Sequence, residues 1–209
     1  QQRLHAKQAV LGIEDYLDHM TKSLEWISRS RGISPFNRSG GEMMEVFYET
    51  NKGKIATCIR VDRTGRIIYS IPHREAIGSD ISGQKHIQEI MSSHKPVVSD
   101  VFKAVQGFDV IALHVPVFKK GKYDGTIGIG IHFQAIAQRY LEGIQIGQTG
   151  YAWMISRDGT ELYCPVPGHT GRTVFENCKE FPSILRMAEE MMEGREGVTT
   201  YLFDRVRGR

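Results

Sequence analysis

The feature that most constrains the fold is a run of residues that occurs twice. Val61-Asp62-Arg63-Thr64-Gly65-Arg66-Ile67-Ile68-Tyr69 lines up with Ile155-Ser156-Arg157-Asp158-Gly159-Thr160-Glu161-Leu162-Tyr163. Arg, Gly and Tyr coincide at one constant offset, with aliphatic positions matched between them. Both runs read as a strand, a Gly-containing turn and a returning strand. Downstream, Gly78 and Ile81 resemble Gly171 and Val174. A helical pattern follows each: Ile87, Ile90 and Met91 in the first copy; Ile184, Leu185, Ala188 and Met191 in the second. Val98-Ser99-Asp100-Val101 then resembles Val198-Thr199-Thr200-Tyr201. Four elements recurring in one order point to a duplicated module.

Ahead of the repeat, Gln1 to Ser30 reads as one helix. Leu4, Leu11, Leu17, Met20, Leu24 and Ile27 recur at helical spacing, with no Pro and one Gly. At 1.5 Å per residue it would be about 45 Å long, longer than a small domain is wide. It suits a backbone element to which modules attach, or one that pairs with a second copy of itself. Ser39-Gly40-Gly41-Glu42 has capping-box spacing and opens a short helix carrying Met43, Met44, Phe47 and Tyr48. The first module then reads as strands Ile55 to Val61, Arg66 to Ile71, Val97 to Lys103, Val110 to Phe118 and Thr126 to Phe133. A helix from Gln134 to about Gly143 closes it. The second copy stops at Arg209 before the last two strands of the pattern, so the second module is expected to be incomplete. The expectation is α+β: a long helix and two antiparallel sheets with helices on their faces. The expected segments are 1–31 for the helix, 32–143 for the first module and 144–209 for the second.

Composition narrows the function. Apolar residues make up 40% and charged residues 24%, the usage of a packed globular chain. With 27 Lys+Arg against 24 Asp+Glu the net charge is only +3, and no nucleic-acid-binding motif is present, so no nucleic acid partner is expected. No run approaches the roughly 18 apolar residues of a membrane span, and no signal peptide is seen. The chain starts on Gln1 and reads as an excised piece with any anchors outside it. Cys58 lies in an apolar strand-like run, as a buried free thiol would. Cys164 and Cys178 are close enough in sequence to pair, or to stay as free thiols. No CxxC or His/Cys cluster has zinc-ligand spacing, so no metal and no cofactor are expected. No GxSxG, HExxH, Walker loop or GxGxxG between strand and helix occurs, and no nucleophile stands beside the histidines by any known spacing. The segment is therefore expected not to be an enzyme.

Strand alternation supplies candidate binding residues. In Thr126 to Phe133 the isoleucines share one face, which should pack on the long helix. Gly128, Gly130 and His132 share the other, and the glycines leave space there. On the neighbouring strand Val110, Ala112 and His114 share a face of similar character. His114 and His132 either reach one cavity or make ordinary hydrogen bonds at strand ends. Asp100, Phe102 and Phe108 are further candidates for the cavity wall, with core packing the alternative for the two phenylalanines.

The order of these motifs resembles the double Cache, or PDC-type, sensor domains, a PAS-like family. The resemblance rests on the leading helix, the Asp62-Arg63-Thr64-Gly65 turn, Val98-Ser99-Asp100-Val101-Phe102, Val115-Pro116-Val117-Phe118 and Gly125-Thr126-Ile127-Gly128-Ile129. Its most characteristic piece is Gly147-Gln148-Thr149-Gly150-Tyr151-Ala152-Trp153-Met154-Ile155, followed by Asp158-Gly159 and Leu162-Tyr163. The resemblance implies the extracytoplasmic part of a receptor in the plasma membrane. Transmembrane helices would flank it, and a cytoplasmic signalling domain, most readily a two-component histidine kinase, would follow. A methyl-accepting chemotaxis receptor or a secreted binding protein is the alternative. It also implies a homodimer through the N-terminal helix, and a small-molecule ligand in the membrane-distal first module. The loop after the first hairpin, with His73 and Arg74, typically caps that pocket, and Tyr69 precedes it. Amine-binding members carry Asp in the last distal strand, where this chain aligns Gly130, so an organic acid held by Arg74, His114 and His132 is the favoured ligand.

Overall fold

The computed structural model describes residues 2–146, 148 and 150–199. By contacts the chain divides into two units. One is Val10–Ile136; the other joins the first turns of the leading helix to the chain from Ala137 onward.

Helix α1 runs Gln2–Ser28 and α2 runs Arg38–Thr50. The buried stripe of α1 is Ala9, Ile13, Met20, Leu24 and Ile27, whereas Leu4 and Leu11 are exposed. The expected stripe was thus right only in its second half, because Ala9 and Ile13 rather than Leu4 and Leu11 continue the face of Met20 and Leu24 towards the N-terminus. Helix α2 is capped by Asn37, not Ser39. The Asn37 carboxamide oxygen accepts from the Ser39 and Gly40 amides, at 3.0 and 3.4 Å. Glu42, the expected capping partner, instead pairs with Arg38 one turn back. Met44 and Tyr48 of α2 are buried.

The first unit contains strands β1 (Ile55–Val61), β2 (Ile67–Ile71), β3 (Val97–Lys103), β4 (Asp109–Lys119) and β5 (Lys122–Ile131), with α3 (Lys85–Ser93) between β2 and β3. They form one antiparallel sheet in the order β2-β1-β5-β4-β3. Register fixes two faces. Thr57 stands beside Gly130, and Gly130 beside Ala112; Ile59 stands beside Gly128, and Gly128 beside His114. These share the face covered by α3 and the segment after β2, where Ile59, Val61, Ile67, Ala76, Ile81 and Ile87 form a core with Met91 against it. Cys58, Arg60, Leu113, Val115, Ile127 and Ile129 occupy the opposite face.

Arg60 is buried on that opposite face. Its guanidinium donates to the carbonyls of Ile33 (3.2 Å), Asp124 (2.8 Å) and Thr126 (3.3 Å), and pairs with the Asp124 carboxylate at 3.1 Å. It ties the segment between α1 and α2 to the sheet with most of its donors satisfied, as a buried cation requires.

Helix α4 (Phe133–Leu141) leads into the second unit, which has β6 (Gln145–Ile146), β7 (Gly150–Tyr151), β8 (Met154–Ile155), β9 (Glu161–Tyr163), α5 (Val174–Asn177) and α6 (Pro182–Met192). Strands β6 and β7 pair with each other, as do β8 and β9, both antiparallel. The fold is α+β, with a long N-terminal helix followed by antiparallel sheets. Val198 and Thr199 lie in no regular element, and Thr200 and Tyr201, expected to continue a strand, lie outside the described residues, as do Gly147 and Thr149.

Hairpin and return loop are built the same way twice. The Ile67 amide donates to Ser79 O and the Gly78 amide to Ile67 O; the Glu161 amide donates to Arg172 O and the Gly171 amide to Glu161 O. The Ile81 amide donates to Gly65 O, and the Val174 amide to Gly159 O. Gly65 and Gly159 take φ of 88° and 82°, a turn conformation that only glycine adopts without strain. By this bonding Glu161 occupies in the second unit the place of Ile67 in the first.

Candidate ligand-binding site

The glycine-rich face of the first sheet, with α3 above it, bounds a half-open cavity of about 30 Å³. That is roughly twice the room one water needs. The wall residues that matter chemically are Thr57, Gln84, His86, Phe102, Gln106 and His114. Gly130 forms part of the floor; a Cβ there would meet the Thr57 methyl at 3.0 Å. Gly128 is not open space, because the His114 ring fills it: a Cβ would lie 2.4 Å from His114 Cε1.

His114 is 2% exposed, with Nδ1 2.8 Å from the Thr126 hydroxyl. The His86 ring, from the first turn of α3, lies 5.3 Å from the His114 ring and 4.7 Å from Phe102. Burial pushes the His86 pKa down to about 4. Burial, with the neighbouring His86, pushes His114 down to about 3. Both imidazoles are therefore neutral at pH 7, each with one donor and one acceptor nitrogen. The described wall carries no Lys, Arg, Asp or Glu.

The sequence candidates divide by position. Phe102 and His114 line the cavity. Phe108 packs beside it with Phe102 around Ala56, Ala104 and Val110. His132 lies one residue past the end of β5, exposed and outside the cavity lining, with its ring 5.8 Å from Phe108. Asp100 is exposed on the edge strand β3, where the pairing shifts between Val98 and Val101. There the Ser99 hydroxyl accepts the Ala112 amide at 2.8 Å, and Asp100 is left outside the cavity.

Tyr69 and Arg74 lie elsewhere for one local reason. Arg60 pairs with Tyr69 and Val61 with Ile67, so Ile68 has no partner. This bulge leaves Ile67 on the α3 face and puts Tyr69 on the α2 face. The Tyr69 hydroxyl is 2.9 Å from the Glu45 carboxylate and 3.2 Å from Gly41 O, and burial with that carboxylate pushes its pKa up to about 12. Arg74 pairs with Glu45 and stacks over the Tyr69 ring at 4.6 Å. Of the groups missed by sequence reading, His86 is the most important. It stands four residues before Ile90, so the helical stripe that identified Ile90 also carried it.

The family model described as HK/GC/Chemotaxis protein-like, sensor domain, matches residues 17–132, more than half of the chain, and the chain belongs to that family. No curated protein matches it significantly. Among solved structures it is similar to an extracellular ligand binding receptor from Desulfohalobium retbaense (24% identity, TM-score 0.68), covering 85% of this chain but 33% of that one. The chain thus spans about a third of that receptor's length. It is also similar to the ligand-binding domain of the Pseudomonas aeruginosa amino acid chemoreceptor PctC in complex with GABA (17% identity, TM-score 0.62, covering 84% and 78% of the two chains). The ligand-binding domain of the Pseudomonas fluorescens chemoreceptor CtaA in complex with L-serine is similar too (18% identity, TM-score 0.61, covering 84% and 74%). At these identities the likeness establishes the fold.

Proposed function

We propose that this chain is the extracytoplasmic sensing segment of a membrane-spanning signalling receptor, and that its ligand enters the cavity between His86 and His114. The observation that carries the reading is a pair of buried, neutral imidazoles facing a floor of small residues. The segment is read as a binder: around the imidazoles the described residues offer amides, the Thr57 and Thr126 hydroxyls and apolar groups.

A small organic acid remains the favoured ligand, for a reason different from the sequence expectation. The described wall offers an ammonium no counter-charge, since Asp100 is exposed and outside the lining and position 130 is a glycine. A carboxylate can take hydrogen bonds from the imidazoles and raise their pKa, so that binding draws in a proton. The small cavity favours monocarboxylates of acetate to pyruvate size. Calorimetry with acetate, propionate, pyruvate and lactate should show affinity rising up to about tenfold as pH falls from 7 to 6. An amine that binds in preference to all of these would overturn the ligand class.

The output is a two-component histidine kinase or a chemotaxis receptor. The likeness to chemoreceptor domains favours the second, and the family description covers both. Exposed Leu4, Val10, Leu11 and Trp26 on α1 support pairing with the α1 of a second copy. Cysteines introduced at Leu11 in the full-length receptor should cross-link between subunits; failure throughout α1 would remove this arrangement.

A further inference from the structure

The second unit has a cavity of its own, lined by Tyr151, Trp153, Glu161, Cys164, His169 and Cys178, with Ile184 and Met187 of α6 behind them. We propose that this cavity binds a divalent transition-metal ion of the zinc class, held by Glu161, Cys164 and His169.

One ligand atom from each of these three residues lies within 4.8 Å of the other two. In a tetrahedral zinc site such atoms are about 3–4 Å apart, given metal–ligand bonds of about 2.0–2.3 Å. A closure of about an ångström would complete the set. Cys178 also lines the cavity, but it lies outside this set of three, so water or another small ligand would take the fourth position. Sulfur, nitrogen and oxygen together suit zinc and its neighbours, and not calcium or magnesium, which take oxygen ligands.

Glu161 gives the strongest reason to read this as a site. It is 1% exposed and sits where the first unit has Ile67, also 1% exposed. An aliphatic side chain fills that place in the first unit. A carboxylate there carries a desolvation cost that packing alone does not require. It is also aimed. Trp153 Nε1 donates to Oε2 at 3.0 Å and Asn177 Nδ2 to Oε1 at 2.9 Å, while His169 Nδ1 lies 3.3 Å from Oε1. Asn177 Nδ2 also donates to the His169 carbonyl at 2.9 Å, fixing two of the three ligands through one amide. Such outer partners are what orient metal ligands.

The backbone holds the third ligand in place. Cys164 and His169 are the two ends of Cys164-Pro165-Val166-Pro167-Gly168-His169, a turn with two prolines and Gly168 at φ 81°. Just after this turn the chain is bonded back to Glu161, through the Glu161 amide to Arg172 O and the Gly171 amide to Glu161 O, each 2.8 Å. Sequence spacing missed the cluster because the carboxylate belongs to the repeat and not to any Cys/His pattern.

The experiment uses chain 1–209, reduced, stripped with chelator and titrated with ZnCl2 and CoCl2. One ion per chain is expected, and the Co²⁺ form should show thiolate-to-metal charge transfer with tetrahedral d–d bands. Cys164→Ser and His169→Asn should each lower Zn²⁺ affinity at least about 100-fold, Glu161→Gln about 10–100-fold. Cys58→Ser, in the other unit, should leave it unchanged. Circular dichroism identifies variants that keep the fold, and only those are compared; the conservative Cys164→Ser change is the main one. Sub-stoichiometric zinc, a Co²⁺ spectrum without a thiolate band, or undiminished affinity in folded Cys164→Ser would each overturn the site. So would a Cys164–Cys178 disulfide whose reduction fails to restore metal binding.

Discussion

The two cavities of this chain grow from the same hairpin and return loop, yet their contents are opposite. The first holds two buried bases and no acid on its described wall. The second holds a buried acid with two thiols and a histidine. The difference begins at one pair of equivalent positions, Ile67 and Glu161, whose backbones make the same hydrogen bonds. A repeated backbone therefore sets where a cavity forms, while a single side chain decides what chemistry it offers.

Exchanging that side chain should have the largest effect. Ile67→Glu would bury a carboxylate among Ile59, Val61, Ile81 and Ile87, without the Trp and Asn donors that Glu161 has. A loss of about 5 kcal/mol or more is expected by urea unfolding. Glu161→Gln keeps the shape and part of the hydrogen bonding, and should cost about 1–2 kcal/mol. Similar costs in the two units would mean that the cavities are less different than their side chains imply.

Acid should separate the bases next. His86 and His114 have folded-state values of about 4 and about 3, below the ordinary 6.5, so the unfolded chain binds more protons over that range. Their contribution to stability is complete above pH 6.5 and is lost as pH falls towards 4 and 3. By about pH 4.5 each should have cost about 2–3 kcal/mol. His86→Gln should remove about half of this dependence in urea melts at pH 7 and 4.5; an unchanged dependence would show that these rings are not the buried bases described.

These contrasts also mark how far the sequence could be read. Strand alternation put His114 on the side of Gly128 and Gly130, and the structure keeps them on one face. Alternation failed at bulges and at strand ends. Unpaired Ile68 carries Tyr69 to the other face, the shift after Val98 leaves Asp100 outside, and His132 lies one residue past β5. Such irregularities arise from pairing between strands, which a single run of residues does not display. The Asn37 cap was hidden for a related reason: Ser39 and Glu42 had suitable spacing, but Arg38 takes Glu42. The repeat was legible because its turns require glycine at fixed places. The Glu161 cluster was not, because its members converge only through the loop that bonds back to Glu161.

The smallest effect should come from Arg74, which sequence alone would put in the binding site. It is half exposed, paired with Glu45 and on the α2 side of the sheet. Arg74→Ala should cost under about 1 kcal/mol in thermal melts. It should also leave binding of small carboxylic acids to the first cavity unaltered, as read by calorimetry. Weakened binding in this variant would move the site to the Tyr69 side.

The most direct test of the central claim follows the imidazoles themselves. Nitrogen-15 NMR of the His86 and His114 rings, recorded while acetate, propionate, pyruvate and lactate are added at pH 6, reports both position and protonation. With a binding acid, both rings should shift together, with at least one moving towards the protonated form, while the Arg74 guanidinium signal stays still. Rings that remain neutral and unshifted while Arg74 responds would contradict a ligand cavity between His86 and His114.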